Sequence, residues 1–257
     1  MVHLSIRLLG PFSVRLDDQP VSGFVSDKVR ALLAYLVAQP DRAFRRETLA
    51  GLLWPDVPET LARNSLRTAL VNLRTVIGDR AADPPFLHIS RTTLQFNGES
   101  DAWCDLTAFR RIVASSSQPH HRAEVVGSLE EAVELYRSSF LEGFSLADSV
   151  AFEDWALIRR EQLQRQVLEA LYRMAAFYEQ RTDYERALLF AWRQVELDPW
   201  REEAQRQLMR LLASSGQRGA ALTQYETLRR MLADELGVEP SAETVQLYED
   251  IREGRIR

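Results

Sequence analysis

The sequence predicts a mainly α chain with a small β component, divided into a mixed domain over about residues 1–98 and an all-α repeat domain over about 101–257. Three observations lead there. Apolar residues alternate near the amino terminus and again around residues 86–96. Elsewhere they recur at helical spacing, and between residues 171 and 221 small and aromatic residues recur with a 34-residue period. A chain of 257 residues that is 46% hydrophobic can bury a core large enough for two such domains.

In chain order, Leu4, Ile6 and Leu8 alternate, Gly10-Pro11 breaks the pattern, and Phe12, Val14 and Leu16 alternate again before the turn "DDQP". This predicts a small antiparallel sheet with one buried face. Val29, Leu32, Leu33 and Leu36 then share one helical stripe that ends near Gln39-Pro40, and Leu49, Leu52 and Leu53 mark a short helix stopped by Trp54-Pro55. A longer helix over Glu59 to Ile77 follows the turn "PDVP". After the breaker "GDRAADPP", Phe86 to Ile89 and Leu94 to Phe96 read as strands joined by "SRTT".

From about residue 101 strand signals vanish. The segments "DLTAFRRIVA" and "RAEVVGSLEEAVELYRSSF", and everything from Val150 onward, are helical in period, separated by turns such as "SSSQPHH", "QRTDY", "LDPW", "SSGQRG" and "LGVEPSAE". Leu171, Met174, Ala175, Tyr178, Ala187 and Pro199 stand at the spacings of a tetratricopeptide unit, and Met209 and Ala221 repeat the register 34 residues after Ala175 and Ala187. An earlier unit centred on Ala132 and Tyr136 is out of register, so an irregular helix intervenes.

Net charge is −5, but residues 1–100 carry +2 and residues 101–257 carry −7, so the two parts meet different partners. Thirty-one arginines accompany a single lysine, Lys28. One cysteine, Cys104, permits no intrachain disulfide and suits a reducing compartment, with packing as its expected role. The start "MVHLSIRLLG" lacks the apolar core of a signal peptide and no apolar run approaches a membrane span, so a cytoplasmic protein without a membrane partner is expected.

On the helix from Glu59 to Ile77, Leu66, Leu70, Leu73 and Ile77 form the core stripe, with Ala62, Ala69 and Val76 beside it. Asn64, Thr68, Val71 and Thr75 lie near the opposite pole, and Arg63, Arg67 and Arg74 line one flank. Arginines in a row suit phosphate oxygens; the short Asn64, Thr68 and Val71 suit base edges or a thymine methyl. A solvated basic face is the plainer reading, yet from Leu61 to Ile77 the helix carries no acid. The order short helix, turn, long helix, hairpin is that of a winged helix, with Arg91 and Thr92 at the tip of the wing. Lys28 and Arg30, at the start of the first helix, and Arg45 and Arg46, before the second, stand where basic groups and helix N-termini hold phosphates. Double-stranded DNA is therefore the expected partner, and alanine at Arg63, Arg67 and Arg74 is expected to abolish binding without changing thermal stability.

The leading sheet, "SDKVRALLAYLV", "LAGLLWPD" with "ARNSLRTALVNLRTVIG", the hairpin, "DWALIRREQLQRQVLEALYRMA" and "ADELGVEPSAETVQLYEDI" together resemble the SARP-type bacterial transcriptional activators over nearly the whole chain. That family joins a winged helix to a tetratricopeptide-like activation domain. The resemblance implies a dimer on promoter direct repeats that contacts RNA polymerase. It carries groove-facing roles to Arg63, Asn64, Arg67, Thr68, Asn72 and Arg74, and wing contacts to Arg91 and Thr92. Here "RRETLA" replaces the serine that more often caps the short helix. Many relatives continue into an ATPase region, so the chain is either a small complete activator or a piece of a larger regulator.

Catalytic and cofactor signatures do not emerge. The sequence lacks G-x-x-x-x-G-K-[ST] and G-x-G-x-x-G, His120-His121 has no ligand-spaced partners, and His3 and His88 fall in predicted strands. No nucleophile and base stand together, so neither an enzyme nor a cofactor or metal is expected. The alternative to a DNA-binding regulator is a helical-repeat adaptor whose winged helix meets protein instead.

Overall fold

The computed structural model describes residues 2–116 and 122–256. The chain folds into two compact units, residues 1–114 with 134–163, and residues 115–133 with 164–257.

In the first unit, β1 (Leu4–Arg7), β2 (Gly10–Pro11), β3 (Ser13–Leu16) and β4 (Gln19–Pro20) open the chain. Strands β1 and β3 pair antiparallel with Leu4 opposite Leu16 and Ile6 opposite Val14, which puts the alternating apolar residues on one buried face. The turn between β3 and β4 places Asp17 and Asp18 at positive φ, a conformation aspartate tolerates better than branched residues. Helices α1 (Asp27–Val37), α2 (Arg46–Leu53) and α3 (Glu59–Val76) follow as expected, with β5 (Phe44–Arg45) just before α2. Strands β6 (Leu87–Ile89) and β7 (Thr93–Phe96) form the hairpin, and β5 adds to its edge with Phe44 opposite Leu94.

The expectation that strands end near residue 101 is overturned. Strand β8 (Ala102–Cys104) lies parallel to β1, completing a sheet of order β4-β3-β1-β8. It leads into α4 (Asp105–Ser116), and after α5 (Arg122–Leu135) comes β9 (Phe140–Glu142), which pairs with β2. Phe140, expected to end a helix, is thus in a strand. Each of these strands is three residues long, too short for alternation to register, and they pair with partners 98 and 130 residues away, Leu4 opposite Ala102 and Gly10 opposite Phe140. The carboxylate of Asp105 fixes the junction: it accepts the backbone N–H groups of Leu8 (2.8 Å), Leu9 (3.0 Å) and Leu106 (2.7 Å). Burial raises the Asp105 carboxyl above its ordinary range against the pull of those bonds. Beside it, burial first and the Asp105 charge second push the Cys104 thiol up to about 12. His3 lies just before β1, not within a strand, with Nδ1 2.7 Å from the Asp101 carboxylate.

The second unit continues α6 (Val150–Glu179) from residue 164 and adds α7 (Tyr184–Leu197), α8 (Glu202–Ser214), α9 (Arg218–Met231), a π-helical turn (Leu232–Leu236) and α10 (Ala242–Arg252). Helices α7 and α9 begin 34 residues apart, and Ala175, Ala187, Met209 and Ala221 are all fully buried. Between α7 and α8 a buried Gln194 amide donates to Gln207 at 2.8 Å, and Tyr178 stacks on Phe190. His120-His121 and most of the "SSSQPHH" segment lie outside the described residues.

Candidate nucleic-acid interface

Helix α3 carries the polarity its sequence demanded. Ala62, Leu66, Ala69, Leu70 and Leu73 are buried, whereas Asn64, Arg67, Thr68 and Thr75 are exposed and Val71 is 54% exposed. The hydroxyls of Thr68 and Thr75 bond back to the carbonyls of Asn64 and Val71, one turn earlier, which sets their rotamers without burying them.

The arginine row separates into three environments. Arg63 lies between two carboxylates, 3.2 Å from Glu47 on α2 and 2.5 Å from Glu59 in the first turn of α3. Arg74 donates Nε to Asp79 at 2.7 Å, and the other Asp79 oxygen accepts the N–H of Leu87 at 2.9 Å, so this arginine ties α3 to the hairpin. Arg67, exposed between them, makes no ion pair among the described residues. The acid-free window from Leu61 to Ile77 concealed this, because Glu59 lies two residues before it and Asp79 two residues after.

The residues expected at the helix starts divide similarly. Lys28 is only 19% exposed, with Nζ 2.6 Å from Asp148 and above the Trp54 ring. Arg30 pairs with Asp27 at 2.6 Å and lies over Phe24. Arg45 is exposed in β5 opposite Thr93, and the backbone N–H of Arg46 donates to the Thr92 carbonyl at 2.9 Å. Arg45, Arg46, Arg91 and Thr92 therefore come together at the hairpin tip, where Arg91 and Thr92 are exposed. Asn72 is occupied: its amide donates to the Gly23 carbonyl (3.0 Å) and accepts the Val25 N–H (3.2 Å), fastening the segment before α1 against α3.

Sequence reasoning missed an apolar surface beside this stripe. Val25, Val57 and Leu61 are 68%, 38% and 55% exposed and gather around Trp54, Val25 from the segment before α1 and the other two from the stretch that follows Trp54. Their one signal was apolar residues flanking prolines and the helix start, which reads equally well as core.

The Bacterial transcriptional activator domain model matches residues 104–252, and the model for Transcriptional regulatory protein, C terminal matches residues 23–93. Among curated relatives, the chain is 28% identical to Transcriptional regulatory protein EmbR of Mycobacterium tuberculosis, covering 97% of this chain and 63% of that protein. It is 29% identical to Transcriptional regulator RedD of Streptomyces coelicolor, covering 93% and 67%, and 27% identical to Transcriptional regulatory protein MoaR1 of M. tuberculosis, covering 96% and 79%. The chain thus spans less than two thirds of the length of EmbR. A solved structure of M. tuberculosis EmbR in complex with a low affinity phosphopeptide matches in fold with a TM-score of 0.73 at 24% identity, covering 99% of this chain and 66% of that one.

Proposed function

We propose, from the premise that this chain belongs to the bacterial transcriptional activator domain family, that it is a sequence-specific DNA-binding transcriptional activator. Residues 1–98 form the DNA-binding winged helix and residues 101–257 the activation domain. The observation that carries the reading is the exposed stripe of α3, where Arg67, without an ion pair among the described residues, adjoins Asn64 and Thr68 opposite a buried apolar stripe. In the groove, Arg67 meets phosphate, Asn64 and Thr68 meet base edges, and the cluster of Arg45, Arg46, Arg91 and Thr92 meets the flanking backbone. Arg63 joins the phosphate contacts by exchanging its two carboxylates for DNA, whereas Asn72 and Arg74 act through the fold, positioning the helix.

The chain binds promoter direct repeats as a dimer in the cytoplasm and contacts RNA polymerase through its helical domain, whose −7 charge disfavours a DNA surface there. The intramolecular pairing of Lys28, Arg30, Arg63 and Arg74 is what favours the adaptor reading. Electrophoretic titration of duplex DNA with wild type and Arg67→Ala decides between them. The activator reading expects weaker binding of every duplex by the variant at unchanged melting temperature. Equal affinities refute it.

A further inference from the structure

The apolar surface beside Asn64 is a cleft of about 490 Å3, walled by Val25, Trp54, Val57 and Leu61 and edged by Asn64 and Thr68. It is built from two stretches of chain that the fold holds in place: Asn72 fastens the backbone at Val25, and prolines 55 and 58 bracket the turn bearing Val57 that leads into Leu61. Leu61, Asn64 and Thr68 succeed one another on a single face of α3, with Leu61 in its first turns. The first turns of a recognition helix are the part that approaches base edges. Donors and acceptors dominate those edges in the major groove; the apolar exception is the C5-methyl of thymine. An apolar cleft set against polar readers at that end of the helix therefore matches one feature of the duplex.

We infer that this cleft is a thymine-methyl subsite, with Leu61 as its specificity-determining residue, so that each half-site carries a thymine next to the base pair met by Asn64. The inference rests on the DNA-binding reading above. Burying one methyl group contributes about 0.8 kcal/mol, which corresponds to about a fourfold change in affinity.

The test uses a duplex recovered by selection from a random double-stranded pool. Each thymine is replaced singly by 2′-deoxyuridine, which removes the methyl and nothing else. One position per half-site is expected to lose about fourfold in affinity with wild type. Leu61→Ala, a change at an exposed position, is expected to bind the thymine duplex less tightly and to show no thymine-to-uridine difference. Leu189→Ala, at an exposed apolar position on α7 of the second unit, keeps that difference. The inference is overturned if no position responds to uridine while binding persists, or if the difference survives in Leu61→Ala or disappears in Leu189→Ala. Failure of wild type to enrich any duplex is a different outcome, which removes the DNA-binding reading and this inference with it.

Discussion

Replacing Arg74 by alanine should destabilise the protein, in contrast with the expectation from sequence that alanine at Arg63, Arg67 and Arg74 leaves thermal stability unchanged. The Asp79 side chain is 0% exposed and its two oxygens are held by Arg74 Nε at 2.7 Å and Leu87 N–H at 2.9 Å. Removing one partner of a buried ion pair costs about 3–5 kcal/mol, because the other charge is left without compensation. Since 33% of the arginine side chain faces solvent, screening and water entry reduce this to about 2–3 kcal/mol. At about 2–4 °C per kcal/mol for a chain of this size, the melting temperature should fall by about 4–12 °C. Arg67→Ala, at an exposed position without an ion pair among the described residues, should stay within about 0.5 kcal/mol of wild type. Circular-dichroism melts and urea midpoints of both variants measure the contrast. Adding Asp79→Asn to Arg74→Ala should recover part of the loss, an amide being cheaper to bury than a lone carboxylate. If Arg74→Ala melts with wild type, the arginine is not part of the fold and the division of the row fails.

In duplex titrations over a range of salt, Arg67→Ala should weaken binding nearly uniformly across sequences and lower the slope of log affinity against log salt by about 1. Asn72→Ala removes two bonds to the segment before α1 and should cost about 1–2 kcal/mol in urea unfolding; an unchanged midpoint would show that this fastening contributes nothing. With its pKa pushed up to about 12, the Cys104 thiol stays protonated at pH 8, so a thiolate-selective reagent should label the native chain at the rate of its opening and not faster. Rapid stoichiometric labelling without denaturant would contradict the buried placement.

The helices, the hairpin and the 34-residue register were legible because each repeats a period over enough residues to be seen: Leu66, Leu70 and Leu73 on α3, and Ala187 with Ala221 across two helical hairpins. Strands β5, β8 and β9 were not: β6 is equally short but has its hairpin partner β7 beside it in sequence, whereas these three pair only with distant chain. At the interface, residue types and faces were readable, but charge pairing was not. Lys28 meets Asp148, 120 positions away, and Glu47 reaches Arg63 from a different helix. The roles of Asn72 and Arg74 depend in the same way on where Gly23, Val25 and Asp79 come to rest in three dimensions. The cleft around Leu61 needed the segment at Val25 to meet the stretch from Trp54 to Thr68, which no local pattern announces.

The measurement closest to the central claim is parallel selection of the wild-type chain and Asn64→Ala from one random double-stranded DNA pool, at a fixed salt concentration of about 100 mM. A DNA-reading α3 predicts that wild type enriches a discrete motif, and that Asn64→Ala enriches the same motif with the preference at one base pair relaxed. Recovery of identical motifs by both proteins would show that Asn64 reads no base, and absence of any enriched motif with wild type would contradict sequence-specific DNA binding by this chain.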